Sequence, residues 1–175
     1  NGAGTQNAAL VFGGQAPVKY NTESYDGTAW TEVNDMSRAP ADTTGMGAGG
    51  TQTSALAAGT QPFSTLSESW DGSCWTSTPT LNSGRGYLAG SIESNTAGIV
   101  YGGIGPTTGV ALTELYNGST WSEVADLNTA RRSNAGVGSS TAALGMGGYS
   151  GGNVANCESW DGTCCTTVNS QPIPY

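Results

Sequence analysis

The chain has 175 residues, 28 of them glycine, with 5 basic and 13 acidic side chains, no histidine and a net charge of −8. An acidic surface repels phosphate backbones, which argues against a nucleic-acid partner. No apolar run reaches the roughly 20 residues of a membrane helix, and no basic amphipathic stretch suits a membrane surface.

Taken from the start, residues 1–4 are small and match only the tail of the small-residue stretch at 47–50. ALVFGG at 9–14 follows, an apolar run closed by Gly13 and Gly14. It reads as a buried strand ending in a turn that needs positive φ or close backbone approach. After a polar loop (15–20) comes a strand with Glu23 and Tyr25 on one face, two positions apart. Asp26–Gly27 is a hairpin signal, read as a type I′ turn. The returning strand carries Trp30, and Met36 follows by six.

The same order then recurs. ALAAGT at 55–60 has Gly59–Thr60 where the first run has a glycine pair, and Glu68, Trp70, Asp71–Gly72, Trp75 and Leu81 follow it. GIVYGG at 98–103 ends in Gly102 and Gly103, followed by Glu114, Tyr116, Asn117–Gly118, Trp121 and Leu127. ALGMGG at 143–148 ends in Gly147 and Gly148, followed by Glu158, Trp160 and Asp161–Gly162, with Cys165 replacing the second aromatic. Both landmarks keep one beat of about 45 residues, the size of a four-stranded propeller blade.

The expected fold is therefore all-β: a single repeat domain over 1–175, with repeats near 1–46, 47–90, 91–138 and 139–175. The ends suggest one strand short of sixteen, which leaves unpaired backbone groups. The chain would then be a piece of a longer propeller, a subunit completed by its neighbour, or an imperfectly closed four-bladed ring; the first two fit the need of each repeat for a stacked neighbour. The first residue is Asn1 rather than Met, which implies processing or a longer chain.

Candidate sites divide into recurring and non-recurring residues. The recurring Glu23, Glu68, Glu114 and Glu158 are either a ring of acids or one structural bond repeated per blade, and the second reading is preferred. Asp26, Asp71, Asn117 and Asp161 are explained by turn chemistry rather than calcium. Recurrence makes Trp30, Trp75 and Trp121 packing residues between blades. Arg85 and Arg131 occupy matching positions, with Pro40 and nearby Arg38 in the first repeat, and suit bonds to loop carbonyls or a neighbouring Glu. Ligand contacts are expected in the variable loops, at Tyr20, Phe63 and Tyr149.

Among the cysteines, Cys157 and Cys165 flank one hairpin and face each other if its turn is a three-residue bulged type, which would allow a disulfide; Cys74 and Cys164 complete the four. Their spacing does not suit zinc. Asn117–Gly118–Ser119 is an N-glycosylation acceptor pattern of consequence only in a glycosylating pathway. Without histidine, serine–histidine triads and imidazole acid–base chemistry are excluded, and no phosphate loop is present. No cofactor, metal or enzymatic activity is expected.

The apolar run before Gly13–Gly14 with Tyr25 and Trp30, and the run at 99–101 before Gly102–Gly103 with Tyr116 and Trp121, resemble kelch repeats. Two features depart from that pattern: the shorter aromatic-to-Trp interval and Gly59–Thr60. The strings GAGTQNAALVFGG, TESYDGTAWTEVNDM and DLNTARRSNAGVG look like kelch-like repeats of structural and fibre proteins of aquatic bacteriophages and related environmental sequences. The resemblance implies a β-propeller and a structural or adhesive role in a virion appendage or extracellular filament. It would act with copies of itself or other structural subunits. Recognition of surface glycans or a host protein is the alternative, and a propeller hydrolase or lyase with a carboxylate cluster in the channel the third. The histidine-dependent copper oxidase chemistry known on kelch blades does not carry over.

Overall fold

The computed structural model describes residues 1–14, 19–37 and 45–172. Loop residues 15–18, Arg38 and Pro40 lie outside the described residues. Among the described residues, sixteen strands form four separate four-stranded antiparallel sheets. Blade 1 is β1 (Gly2–Thr5), β2 (Ala8–Gly14), β3 (Lys19–Tyr25) and β4 (Trp30–Val33). Blade 2 is β5 (Gly47–Thr51), β6 (Ser54–Thr60), β7 (Ser64–Trp70) and β8 (Trp75–Ser77). Blade 3 is β9 (Ala89–Ser94), β10 (Ala97–Tyr101), β11 (Thr113–Tyr116) and β12 (Trp121–Glu123). Blade 4 is β13 (Ala135–Gly138), β14 (Ala143–Met146), β15 (Cys157–Trp160) and β16 (Cys165–Val168).

Two sequence expectations change here. Among the described residues the strand count is sixteen, because residues 2–5 pair with β2 along their whole length, so blade 1 has its inner strand. The repeat boundaries also shift: a break after residue 90 cuts β9, and one after 138 separates β13 from the sheet to which it bonds. Glycine-rich inner strands lack the apolar alternation that marks a strand, so their edges were obscure.

The blades stack in chain order. Inner strands β1, β5, β9 and β13 pack successively against one another, and among the described residues no comparable packing joins β13 back to β1. Among the described residues, blade 1 and blade 4 each therefore pack on one neighbouring blade only. The four inner strands border one axial groove of about 320 Å³, lined by glycines with Ala3, Ala48, Ser91, Ile92 and Val137. No carboxylate appears in that lining. Small residues are required where inner strands meet: a Cβ on Gly136 would stand 2.3 Å from the Tyr101 hydroxyl and 2.7 Å from the Gly90 carbonyl oxygen. Gly102 closes the apolar run at φ 67, and a Cβ there would lie 2.6 Å from the Arg131 carbonyl oxygen.

Each blade-to-blade seam follows one plan. In seam 1, Leu10, Phe12 and Met36 meet Ala55, Ala57, Trp70 and Trp75. In seam 2, Leu56, Ala58 and Leu81 meet Val100, Tyr116 and Trp121. In seam 3, Ile99, Tyr101 and Leu127 meet Ala143, Trp160 and Cys165. Met36, Leu81 and Leu127 are the residues that follow each Trp by six, and they plug the three cores.

The repeated glutamates lock these seams. Glu68 accepts the Ser37 backbone N–H and hydroxyl, each at 3.1 Å. Glu114 accepts the Asn82 backbone N–H at 2.7 Å and side-chain amide at 2.9 Å, and pairs with Arg85. Glu158 accepts the Asn128 backbone N–H at 2.6 Å and amide at 2.9 Å, with Arg131 Nη2 at 3.0 Å. All three carboxylates are buried and bind the segment that leaves the preceding blade. Buried carboxylates are tolerated only when paired or hydrogen-bonded, as these are. Arg85 and Arg131 also donate to carbonyl oxygens, of Gly102 and Asn156 respectively.

Removing one member of such a pair strands the other without solvent. Arg85→Met is therefore expected to lower unfolding free energy by about 3–5 kcal/mol in equilibrium urea titration. The double variant Arg85→Met/Glu114→Leu should recover part of that loss.

Candidate functional site

The four hairpins place the recurring turn residues alike. Tyr25 pairs with Trp30, Trp70 with Trp75, Tyr116 with Trp121 and Trp160 with Cys165, so each loop has four residues. This replaces the expected two-residue type I′ turn. Only Gly27, Gly72, Gly118 and Gly162 have positive φ, between 91 and 97°; the preceding Asp or Asn does not. Instead its Oδ1 accepts the backbone N–H groups two and three residues on, at 2.8–2.9 Å in every repeat. Such side-chain turns compete with the backbone-only hairpin.

Backbone donors at Cys74 and Ser73 hold the Asp71 carboxyl at about 2, and similar donors lower Asp26 and Asp161. Asn117 is exposed, and its side-chain oxygen is engaged in the same turn. Among the described residues no group of three His, Cys, Asp or Glu is arranged to hold a metal.

The expected Cys157–Cys165 disulfide is not formed. The four-residue loop sets Cys157 opposite Val168 and Cys165 opposite Trp160, and all four cysteines are free. Burial, followed by the Glu158 charge, pushes the Cys165 thiol up to about 11.

The repeating tryptophans divide by position. Trp75 and Trp121 are 6% exposed, whereas Trp30 is 51% exposed. The Trp75 indole donates to the Thr22 hydroxyl at 2.9 Å and its ring meets Phe12 edge-on at 4.7 Å, so each such Trp packs on the preceding blade. Trp30 sits on the face of blade 1 that no described blade covers. Glu23 on that face is exposed as well, unlike its three counterparts. An open hollow of about 390 Å³ lies over Val11, Asn21 and Glu23. At the other end, Leu144 and Met146 of blade 4 are half-buried, and Gln171 takes the place of Met36, Leu81 and Leu127 by bonding to the Ala155 carbonyl at 3.0 Å.

Of the loop aromatics, Tyr20 is exposed on β3, Phe63 is half-buried in its turn at φ 62, and Tyr149 lines a cleft of about 440 Å³. The three stand on different blades. The cleft lies between the turns of blades 3 and 4, and Thr107, Thr108, Arg132 and Ser150 share its lining with Tyr149. The Arg132 guanidinium carbon lies 4.9 Å from the Tyr149 ring centre. Sequence reasoning missed Arg132, although aligning ARRSN with the corresponding GRGYL shows arginine where Gly86 stands.

No protein-family model matches this chain, and no curated protein matches it.

Two titrations follow from this geometry. The Asp71 carboxyl is lowered on folding, so its contribution to the hairpin is present above the ordinary carboxylate range and is lost as pH falls through about 2. A carboxyl-carbon NMR titration should place its midpoint there. Thiolate is the reactive form of cysteine, so alkylation at pH 8 should label exposed Cys74 and Cys164 first, and buried Cys157 and half-buried Cys165, whose thiol is pushed up, slowly, with no disulfide in the non-reduced mass spectrum.

Proposed function

We propose that the chain is a non-enzymatic structural and adhesive propeller segment that assembles end to end through its two terminal blade faces. The observation that supports this reading most directly is Trp30, 51% exposed at a position that is 6% exposed in the next two blades. Each internal seam defines what covers such a face: an apolar pair on the second strand of the preceding blade. Blade 4 presents that pair as Leu144 and Met146. The occupant proposed for blade 1 is accordingly blade 4 of a second copy. Contacts of this head-to-tail kind are heterologous, and they close into a ring or continue as a filament.

The resemblance to kelch repeats, and to those of aquatic phage fibre proteins in particular, supports a location in a virion appendage or extracellular filament. A second reading, a carbohydrate-binding module for host recognition, is favoured by the cleft at Arg132 and Tyr149.

Sedimentation velocity across a wide concentration range tests the assembly. The wild-type chain should self-associate, and Trp30→Glu should shift it to monomer while leaving its circular dichroism unchanged. A wild-type chain that stays monomeric at the highest concentration, with indole emission from Trp30 still fully solvent-exposed, refutes the head-to-tail contact.

A further inference from the structure

The repeats act as controls for one another, because a residue present at one seam and replaced at its equivalents is not demanded by the fold. Three such departures cluster at seam 3. In seam 2, Gly86 and Ile104 exchange backbone hydrogen bonds at 3.1 and 2.7 Å. The equivalent pair in seam 3 is Arg132 and Tyr149, bonded at 3.1 and 2.9 Å. The same backbone bridge therefore forms with glycine and isoleucine, and neither the cation nor the phenol is needed for it. Two residues beyond Arg132, Asn134 stands where the other seams place Met46 and Leu88. Asn134 is 9% exposed, and both polar atoms of its amide lack a hydrogen-bond partner. The Gly148 backbone lies against both neighbours: a Cβ there would be 2.7 Å from the Arg132 carbonyl oxygen and 3.1 Å from Asn134 Cβ.

The charges single out the same place. Arg85 and Arg131 are buried in ion pairs, whereas Arg132 pairs with no carboxylate among the described residues. Its backbone is fixed by the Tyr149 bridge and its guanidinium by the Tyr149 ring. A planar cation held in advance presents a fork matched to a carboxylate. Around it the cleft offers the hydroxyls of Thr107, Thr108 and Ser150, and its 440 Å³ lies within the range of small-molecule sites, roughly 300–1,000 Å³. Two tight turns form its walls, closed by Gly105 N–H to the Thr108 carbonyl at 3.0 Å and Ser150 N–H to the Gly152 carbonyl at 2.9 Å.

We propose that this cleft binds a carboxylate-bearing sugar, a uronic acid unit of an acidic polysaccharide, with Arg132 holding the carboxylate and the threonine and serine hydroxyls meeting the ring hydroxyls. The proposal rests on the carbohydrate-binding reading and is independent of end-to-end assembly; it can fail while Trp30 still mediates association, and the reverse.

Isothermal titration of the full chain with tri-galacturonate, the neutral trigalactose and inorganic phosphate tests it. Tri-galacturonate should bind with a saturable isotherm, and the neutral trisaccharide should bind at least about tenfold more weakly, the discrimination that a charged hydrogen bond supplies. Arg132→Gln should weaken tri-galacturonate by about tenfold or more without changing the urea midpoint, since glycine serves at the equivalent position of seam 2. Tyr149→Phe should retain affinity by keeping the ring, and Tyr149→Ala should lose it. Equal affinity for acidic and neutral sugars, unchanged affinity in Arg132→Gln, or no saturable binding of tri-galacturonate overturns the proposal. Phosphate binding as tightly as tri-galacturonate and displacing it would reduce the cleft to a bare anion site and overturn the sugar assignment.

Discussion

A buried carboxylate that can be satisfied only by the neighbouring blade is the constraint on which this structure depends. A single four-stranded sheet leaves its apolar faces wet, and stacking is what removes them from water. Hydrophobic contact alone sets no register between two such faces. Glu68, Glu114 and Glu158 supply it, because each takes backbone N–H groups from the segment leaving the blade before. A sheet displaced along the seam would leave a buried charge without donors, at a cost well above that of a poorly packed methyl group. The same glutamates order the blades along the chain, since each connecting segment serves the blade that follows it.

This arrangement gives every blade a donor side and an acceptor side. The front of each blade offers an apolar pair and an outgoing segment; the back offers Trp, an aromatic partner and Glu. Three seams consume three fronts and three backs, which leaves one of each. The exposed Trp30 and Glu23 at one end and the half-buried Leu144 and Met146 at the other are consequences of that arithmetic. The two ends are nevertheless unequal partners. Gln171 stands where Leu81 and Leu127 plug seams 2 and 3, so the blade 4 front is less apolar than the fronts inside the array. The contact proposed between ends therefore lacks the apolar plug of an internal seam.

Most of the architecture was legible because it repeats. The apolar runs ending at Gly13, Gly59, Gly102 and Gly147, together with the Asp-Gly or Asn-Gly turns, mark the four sheets in the sequence. What escaped had definite physical causes. The turn type was misjudged because side-chain acceptors at Asp26, Asp71, Asn117 and Asp161 reshape the loop, a choice that the dipeptide does not reveal. β1 was undercounted because an inner strand of glycine and alanine has no hydrophobic period. Recurrence also made Trp30 look like Trp75 and Trp121, yet burial depends on a neighbour and not on the residue itself. Of the loop aromatics, Tyr149 reached a cleft, whereas Tyr20 and Phe63 did not. Arg132 does not recur, so the repeat pattern does not mark it.

Seam 3 carries the departures in both of its halves. Cys165 replaces the tryptophan that packs seams 1 and 2, removing one of the largest apolar contributions available to a core. Asn134 replaces an apolar residue and leaves its amide unbonded, which costs more. In an array where stability is the sum of repeats and nearest-neighbour contacts, a seam without the tryptophan loses that part of its contact. Natural sequences accept local losses of this kind chiefly where a site is built, and among the described residues the replaced tryptophan and the Arg132 cleft fall in the same seam. The regular seams account for cohesion, and the cleft proposed above as a recognition site lies beside the irregular one.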